Sequence, residues 1–203
     1  MIGFYNISVI LTYAGVISAT FGMSAAFHGN FKIAMLCLML SGFTDMYDGT
    51  VAKMIERTPD EKKFGIEIDS LCDLVCFGVY PVVIGYCFGM DQWYSKIIYM
   101  MYILGAVIRL AYFNVTEEQR QGVTTERRKH YQGLPVTSVA LILPIVYQLR
   151  RFFFDVFPYI YVGAILIIAL LFVIDFKVFK PGKKCMLGFV IAGAIVAIKM
   201  FCF

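Results

Sequence analysis

The sequence predicts an all-α, polytopic membrane protein, a single bundle of helices that cross a lipid bilayer. Of its 203 residues 60% are hydrophobic and only 16% are charged, and the mean hydropathy is +0.76. A soluble domain of this length would have more charge and shorter apolar runs. In lipid the backbone has to satisfy its own hydrogen bonds, which a helix does within one segment. We therefore expect residues 1–203 to form one integral membrane domain.

Seven spans follow from the apolar stretches, in chain order. They are Ser8 to His28, Phe31 to Ala52, Phe64 to Met90, Ser95 to Phe113, Pro135 to Leu149, Phe157 to Phe176 and Cys185 to Phe203. The first stretch has no basic segment before it and resembles those that follow, so we interpret it as a retained span rather than a signal peptide. The fifth is short, and its boundary with the sixth is the least defined.

The distribution of positive charge predicts the orientation. Three charged connections, Lys53 to Lys63, Asn114 to Gln132 and Lys177 to Lys184, lie on one side of this topology. They hold twelve lysine and arginine residues, whereas the opposite side has four. Because cytoplasmic loops carry the excess of lysine and arginine, the N-terminus is predicted to be cytoplasmic, in a bacterial-type cytoplasmic membrane.

Four aspartates lie near the cytoplasmic ends of two adjacent spans. Asp45 and Asp48 are three residues apart in the second span, and Asp69 and Asp73 are four apart in the third. These spacings place each pair on one helix face. Carboxylates gathered at one depth repel each other unless cations lie among them, and oxygen-only sites suit Mg²⁺ or Mn²⁺. We predict a site for two divalent ions; the alternative is that the acids only mark helix ends in the headgroup region and pair with basic residues.

Small residues accompany these acids. Gly49 follows Asp48, Ala52 lies three residues further on, and Gly65 lies four residues before Asp69. Small residues permit either close helix packing or the close approach of a flat ligand. Lys53 and the basic connection after it would attract a polyanion. Together these features suggest a site for a nucleotide that carries a diphosphate.

The pattern from Asp45 to Asp73, D-x2-D-G-x2-A-K followed by G-x3-D-x3-D, resembles the signature of the CDP-alcohol phosphatidyltransferase family. Within that family, three segments are similar to the membrane-embedded phosphatidylserine synthases. These are FGIEIDSLCDLVCFGVYP (Phe64 to Pro81), RLAYFNV (Arg109 to Val115) and YQGLP (Tyr131 to Pro135). The resemblance covers roughly Ser8 to Pro144, and the last two spans are only generically similar.

The resemblance implies a six-helix core within about seven spans, a site for two metal ions that opens to the cytoplasm, and often a homodimer. It implies that Asp45, Asp48 and Asp69 ligate metal and that Asp73 is both a ligand and the general base. The CDP site would be lined by Asp48, Gly49, Ala52 and Gly65. Lys53 stands at the position where the family usually has an arginine that contacts the diphosphate.

This sequence departs from the family pattern at several positions. Lys53 keeps the charge of the usual arginine but loses its bidentate fork. The segment between Lys53 and Gly65 is a few residues longer than expected, Tyr112 replaces a second arginine, and Tyr80 replaces an alanine. These differences bear on the acceptor alcohol more than on the reaction class.

The function predicted from these features is transfer of the phosphatidyl group of CDP-diacylglycerol to L-serine, which gives phosphatidylserine and CMP. Arg109, inside the fourth span, is expected to contact the carboxylate or a phosphate of a substrate, and Asn114 to help shape the acceptor pocket. Glycerol 3-phosphate and inositol phosphate are the alternative acceptors. A cation transporter is the alternative outside the enzymes, because acidic pairs in spans also mark ion paths.

Overall fold

The computed structural model describes residues 7–52, 54–123, 130–179 and 183–202, together with Gly3. Within them lie eight α-helices: α1 (Ile7–Phe27), α2 (Phe31–Val51), α3 (Pro59–Asp73), α4 (Tyr80–Cys87), α5 (Trp93–Val123), α6 (Val139–Tyr147), α7 (Phe157–Val173) and α8 (Lys183–Cys202). A π-helical segment, Leu74–Val79, joins α3 to α4, and 3-10 turns at Val136–Ser138 and Gln148–Arg151 flank α6. The predicted all-α membrane bundle is confirmed.

Three helical stretches of the described chain are long and apolar enough to cross a membrane. They are Val9–Phe27, Pro59–Cys87 and Trp93–Arg120; Phe157–Val173 and Gly188–Phe201 are shorter apolar helices. Five of the seven predicted spans have their cores in these stretches; the second and fifth correspond to α2 and the short α6, which are not among them. The total of about seven spans stays a prediction.

Two of the predicted boundaries were wrong. The third span was expected to begin at Phe64, but α3 begins at Pro59. A capping box explains the earlier start: the Thr58 amide donates to the Glu61 carboxylate (2.8 Å), and the Glu61 amide donates to the Thr58 hydroxyl (3.3 Å). The fourth span was expected to end at Phe113, but α5 continues into the predicted connection, where Arg120 and Glu117 form an ion pair three residues apart.

A short antiparallel sheet joins two of the predicted cytoplasmic connections. Strand β1 (His130–Gln132) pairs with strand β2 (Lys177–Phe179), with His130 opposite Phe179. Three residues per strand are too few for the sequence pattern to have indicated it. The sheet holds the segment that precedes α6 against the segment that follows α7.

The helix formed by α3, the π-helical segment and α4 packs against α1, α2, α5 and α7. Tyr80, at the start of α4, is fully buried, and its hydroxyl donates to the Ala34 carbonyl of α2 (2.6 Å). A side chain at Gly22 of α1 would collide with that hydroxyl. Gly22 therefore makes the room that this large side chain needs, and the hydroxyl fixes α4 against α2.

Pro81 leaves the Phe77 carbonyl without its usual helical partner, because proline has no amide hydrogen to donate to the residue four before it. The helix widens here, and the Tyr80 amide donates to Val75, five residues back, as in a π-helix. The buried hydroxyl of Tyr102 in α5 donates to the Phe77 carbonyl (2.6 Å) and satisfies it. A side chain on a neighbouring helix thus supports the π-helical segment directly after Asp73.

We expect Tyr102→Phe to lower the free energy of unfolding by about 1–3 kcal/mol, because it leaves the Phe77 carbonyl buried without this donor. Tyr99→Phe is the matched control. Tyr99 is equally buried on the same helix, but its hydroxyl has no hydrogen-bond partner among the described residues, so its removal should cost nothing. Unfolding of the purified protein in detergent, followed by circular dichroism, measures both. Equal losses for the two variants would contradict this account.

Candidate metal centre

The structure brings three of the four aspartates together at the junction of α2 and α3. One carboxylate oxygen each from Asp45, Asp48 and Asp69 lie within 4.8 Å of one another. Asp48 is buried, and Asp45 and Asp69 are half-buried. The acids of α2 lie in its last two turns, whereas Asp69 lies well inside the helical stretch that runs from Pro59 to Cys87.

The fourth acid, Asp73, is the last residue of α3, four residues after Asp69. Its carboxyl group is within hydrogen-bonding distance of the carboxyl group of Asp45. Asp73 lines a small cavity with Asp45 and Asp48, between α1, α2 and α3. The π-helical segment begins at the next residue, Leu74. Such segments occur frequently at functional sites.

Helix α1 contributes a residue to the site that sequence reasoning missed. The Thr12 hydroxyl donates to Oδ2 of Asp48 (3.0 Å) and lines the same cavity. Thr12 lies in an apolar stretch without a motif, and nothing in its surroundings in the sequence marks it. The cavity volume is about 10 Å³, close to the smallest that holds one water molecule. It has room for an ion but not for a nucleotide.

The chemistry of these residues fits a divalent cation. Oδ1 of Asp69 is buried and has no hydrogen-bond partner among the described residues. Among the residues that the structure describes, no lysine or arginine forms an ion pair with any of the four aspartates. Buried carboxylates need compensation by positive charge, and hard divalent ions prefer oxygen ligands. The predicted alternative, in which these acids pair with basic residues, finds no support in the described chain.

The small residues predicted to line a nucleotide site differ in their surroundings. Gly49 is exposed, and a side chain built there would meet nothing within 4 Å, so close helix packing does not explain this glycine. Ala52, just after α2, is half-buried. A side chain at Gly65 would come within 3.3 Å of Nη1 of Arg57. Lys53 lies outside the described residues.

The two predicted acceptor contacts lie on α5. Arg109 is buried, its Nε donates to the Leu134 carbonyl (3.2 Å), and its guanidinium lies 5.9 Å from the centre of the Phe113 ring. Asn114 exchanges side-chain hydrogen bonds with Ser70, the neighbour of Asp69 in α3 (2.9 and 3.0 Å). Asn114 therefore joins α5 to the helix that carries the acids, a role the sequence did not indicate.

Comparison with known proteins identifies the group to which the chain is related. The sequence model of the CDP-alcohol phosphatidyltransferase family matches residues 5–174, most of the chain. The chain belongs to this family. The resemblance inferred from the spacing of the four aspartates and the glycines is thereby confirmed.

Several known proteins are similar in sequence to this chain over about three fifths of its length. A CDP-diacylglycerol–serine O-phosphatidyltransferase from Saccharomyces cerevisiae is 36% identical over 125 residues, which are 60% of this chain and 44% of the yeast protein. One from Helicobacter pylori is 30% identical, over 60% of this chain and 49% of that protein. An archaetidylserine synthase from Methanothermobacter thermautotrophicus is 31% identical, over 59% and 48%. The match spans about half the length of these relatives.

We expect Thr12→Val to weaken Mn²⁺ binding by about 10- to 100-fold, because it removes the hydrogen bond that orients the Asp48 carboxylate. Thr12→Ser keeps a hydroxyl at this position and is the control. Titration of the purified protein with Mn²⁺, followed by the electron paramagnetic resonance signal of the free ion, measures the affinity. If the valine and serine variants bind Mn²⁺ equally well, the contact does not orient a ligand.

Proposed function

We propose that this chain transfers the phosphatidyl group of CDP-diacylglycerol to the hydroxyl of L-serine, giving phosphatidylserine and CMP. The observation that carries the proposal is the cluster of Asp45, Asp48 and Asp69 carboxylates within 4.8 Å, in a chain of the CDP-alcohol phosphatidyltransferase family. The names of the similar yeast, Helicobacter and archaeal proteins support serine as the acceptor.

Asp45, Asp48 and Asp69 would hold a divalent cation, Mg²⁺ or Mn²⁺, and Asp73 would join them around a second ion. When bound, such ions neutralise negative charge on a diphosphate and on a leaving phosphate. The Thr12 hydroxyl keeps the Asp48 carboxylate in place. The open surface at Gly49 would accept the nucleotide, with Ala52 and Gly65 nearby and Lys53 as a further cation.

Asp73 is proposed to act as the general base. Its carboxylate would take the proton of the serine hydroxyl, whose oxygen then attacks the phosphorus on the lipid side of the diphosphate. A new bond forms between the serine oxygen and that phosphorus, and the bond from this phosphorus to the bridging oxygen breaks. CMP leaves with that oxygen. A hydroxyl is a weak nucleophile, so a positioned base contributes directly to the rate.

Arg109 is proposed to contact the serine carboxylate. Its burial supports this role, because a buried guanidinium forms strong, bidentate bonds with carboxylates. Asn114, five residues further along α5, would help to shape the acceptor pocket. Its hydrogen bond with Ser70 holds its side chain in place. The excess of positive charge in the predicted cytoplasmic connections supports an orientation with the acids toward the cytoplasm. A homodimer remains part of the proposal.

The direct test supplies CDP-diacylglycerol to the purified protein in mixed micelles with Mg²⁺ or Mn²⁺. Serine, glycerol 3-phosphate and inositol phosphate are offered in parallel, and CMP and the lipid product are measured. We expect metal-dependent CMP release with serine alone, and phosphatidylserine as the product. CMP release with another acceptor would overturn the choice of serine. Absence of release with all three would overturn the reaction class and favour tests of ion transport.

We expect Asp73→Asn to lower CMP release by about 10²- to 10⁴-fold, because the amide cannot accept the serine proton. Mn²⁺ should still bind through the other three aspartates, and titration with Mn²⁺ separates loss of the base from loss of the metal. Asp60→Asn is the control, since Asp60 is an exposed acid in the first turn of the same helix. Turnover near the normal rate in Asp73→Asn would rule out Asp73 as the base.

A further inference from the structure

Arg57 holds an unusual position beside the acids. It lies in the connection between α2 and α3, immediately before Thr58, the cap of α3. Its Nη1 lies 3.3 Å from the position that a side-chain carbon on Gly65 would occupy. Its Nε is buried and has no hydrogen-bond partner among the described residues. Nη1 of the guanidinium therefore lies beside α3 at Gly65, and the Nε donor has no partner in the described protein.

The nearby acids do not explain this arrangement. The Glu61 carboxylate accepts from the Thr58 amide in the capping box. Within the described chain Arg57 forms no ion pair. A buried donor without a partner is costly, and a charged one more so. Arg57 as a whole is only half-buried, so an anionic partner from outside the chain would meet the accessible part of its guanidinium and compensate its charge.

Gly65 and Asp69 lie four residues apart in α3, on one face of the helix and separated by about 6 Å along its axis. The Arg57 guanidinium thus lies one helical turn from a carboxylate of the metal cluster, on the side where the chain enters α3. A diphosphate that contacts cations held by the carboxylates would extend over this distance. The guanidinium could then meet two of its oxygens with parallel hydrogen bonds.

We propose that Arg57 binds the diphosphate of the CDP-linked substrate, and that glycine at position 65 leaves room for the guanidinium, because a side-chain carbon there would press on Nη1. This inference rests on the proposed function and assigns a residue to its substrate site. Lys53, in the same connection, carries a point charge and cannot supply the planar pair of donors.

The test measures equilibrium binding of CDP, in the presence of Mn²⁺, and the KM values for CDP-diacylglycerol and for serine. We expect Arg57→Gln to weaken CDP binding and raise the KM for CDP-diacylglycerol about tenfold or more, with the KM for serine unchanged. Arg57→Lys should lie between. Lys62→Gln removes an exposed positive charge from the first turns of α3 and should leave CDP binding within about twofold of normal, since exposed charges contribute little.

A double-mutant cycle tests the part assigned to Gly65. Gly65→Ala should weaken CDP binding in the normal protein, because the added carbon displaces the guanidinium, and should have no further effect in the Arg57→Gln background. Additive effects would mean that Gly65 acts by itself and would overturn this coupling. Melting temperatures in detergent verify that the variants fold; if Arg57→Gln does not, Arg57→Lys decides.

Each failure has its own pattern. In the first pattern the normal protein binds CDP and releases CMP, and Arg57→Gln has the same affinity for CDP as Lys62→Gln. Arg57 then only packs against α3, and this inference alone is overturned. If the normal protein neither binds CDP nor releases CMP, the proposed function fails and the inference fails with it.

Discussion

The mutual repulsion of four carboxylates is the constraint on which the rest of the structure depends. Carboxylates within 4.8 Å of each other repel by roughly 3 kcal/mol per pair at an effective dielectric constant near 20. This free energy favours separation of α2 and α3, which meet at the acids. Apolar packing of these helices against α1 and α5 opposes the separation, and so do the hydrogen bonds from Thr12 to Asp48 and between Ser70 and Asn114. Bound divalent ions would turn the repulsion into attraction.

The helix that carries Asp69 and Asp73 is held at several points along its length. Its first turn is fixed by the capping box at Thr58, and its widened middle by the bond from Tyr102 to the Phe77 carbonyl. Directly before Pro81, the Tyr80 hydroxyl donates to the Ala34 carbonyl of α2, and the Pro81 carbonyl accepts from the Tyr161 hydroxyl of α7 (2.8 Å). Tyrosine hydroxyls from two other helices thus satisfy carbonyl groups around the proline. The position of Asp73 follows from this framework rather than from the sequence around it.

The sequence was sufficient to predict the elements that depend on short-range patterns. Apolar stretches located the helices, and spacings of three and four placed the acids on helix faces. Contacts between distant segments were beyond such reasoning. Thr12 and Arg57 have no local signature, because each acts through a neighbour brought close by packing. The same holds for Arg150, whose guanidinium lies 4.9–5.7 Å from the centres of four aromatic rings.

The size of the acid cavity limits how a substrate could meet it. At about 10 Å³ it has room for an ion but for no part of a nucleotide, so a CDP-linked substrate has to approach the carboxylates from their open side. Gly49 is exposed there with free space above it, and Arg57 lies across Gly65 on the adjoining helix. Asp73 lines the cavity itself, together with Asp45 and Asp48. On the proposed function, the nucleotide therefore stays outside the cavity that the base, Asp73, lines.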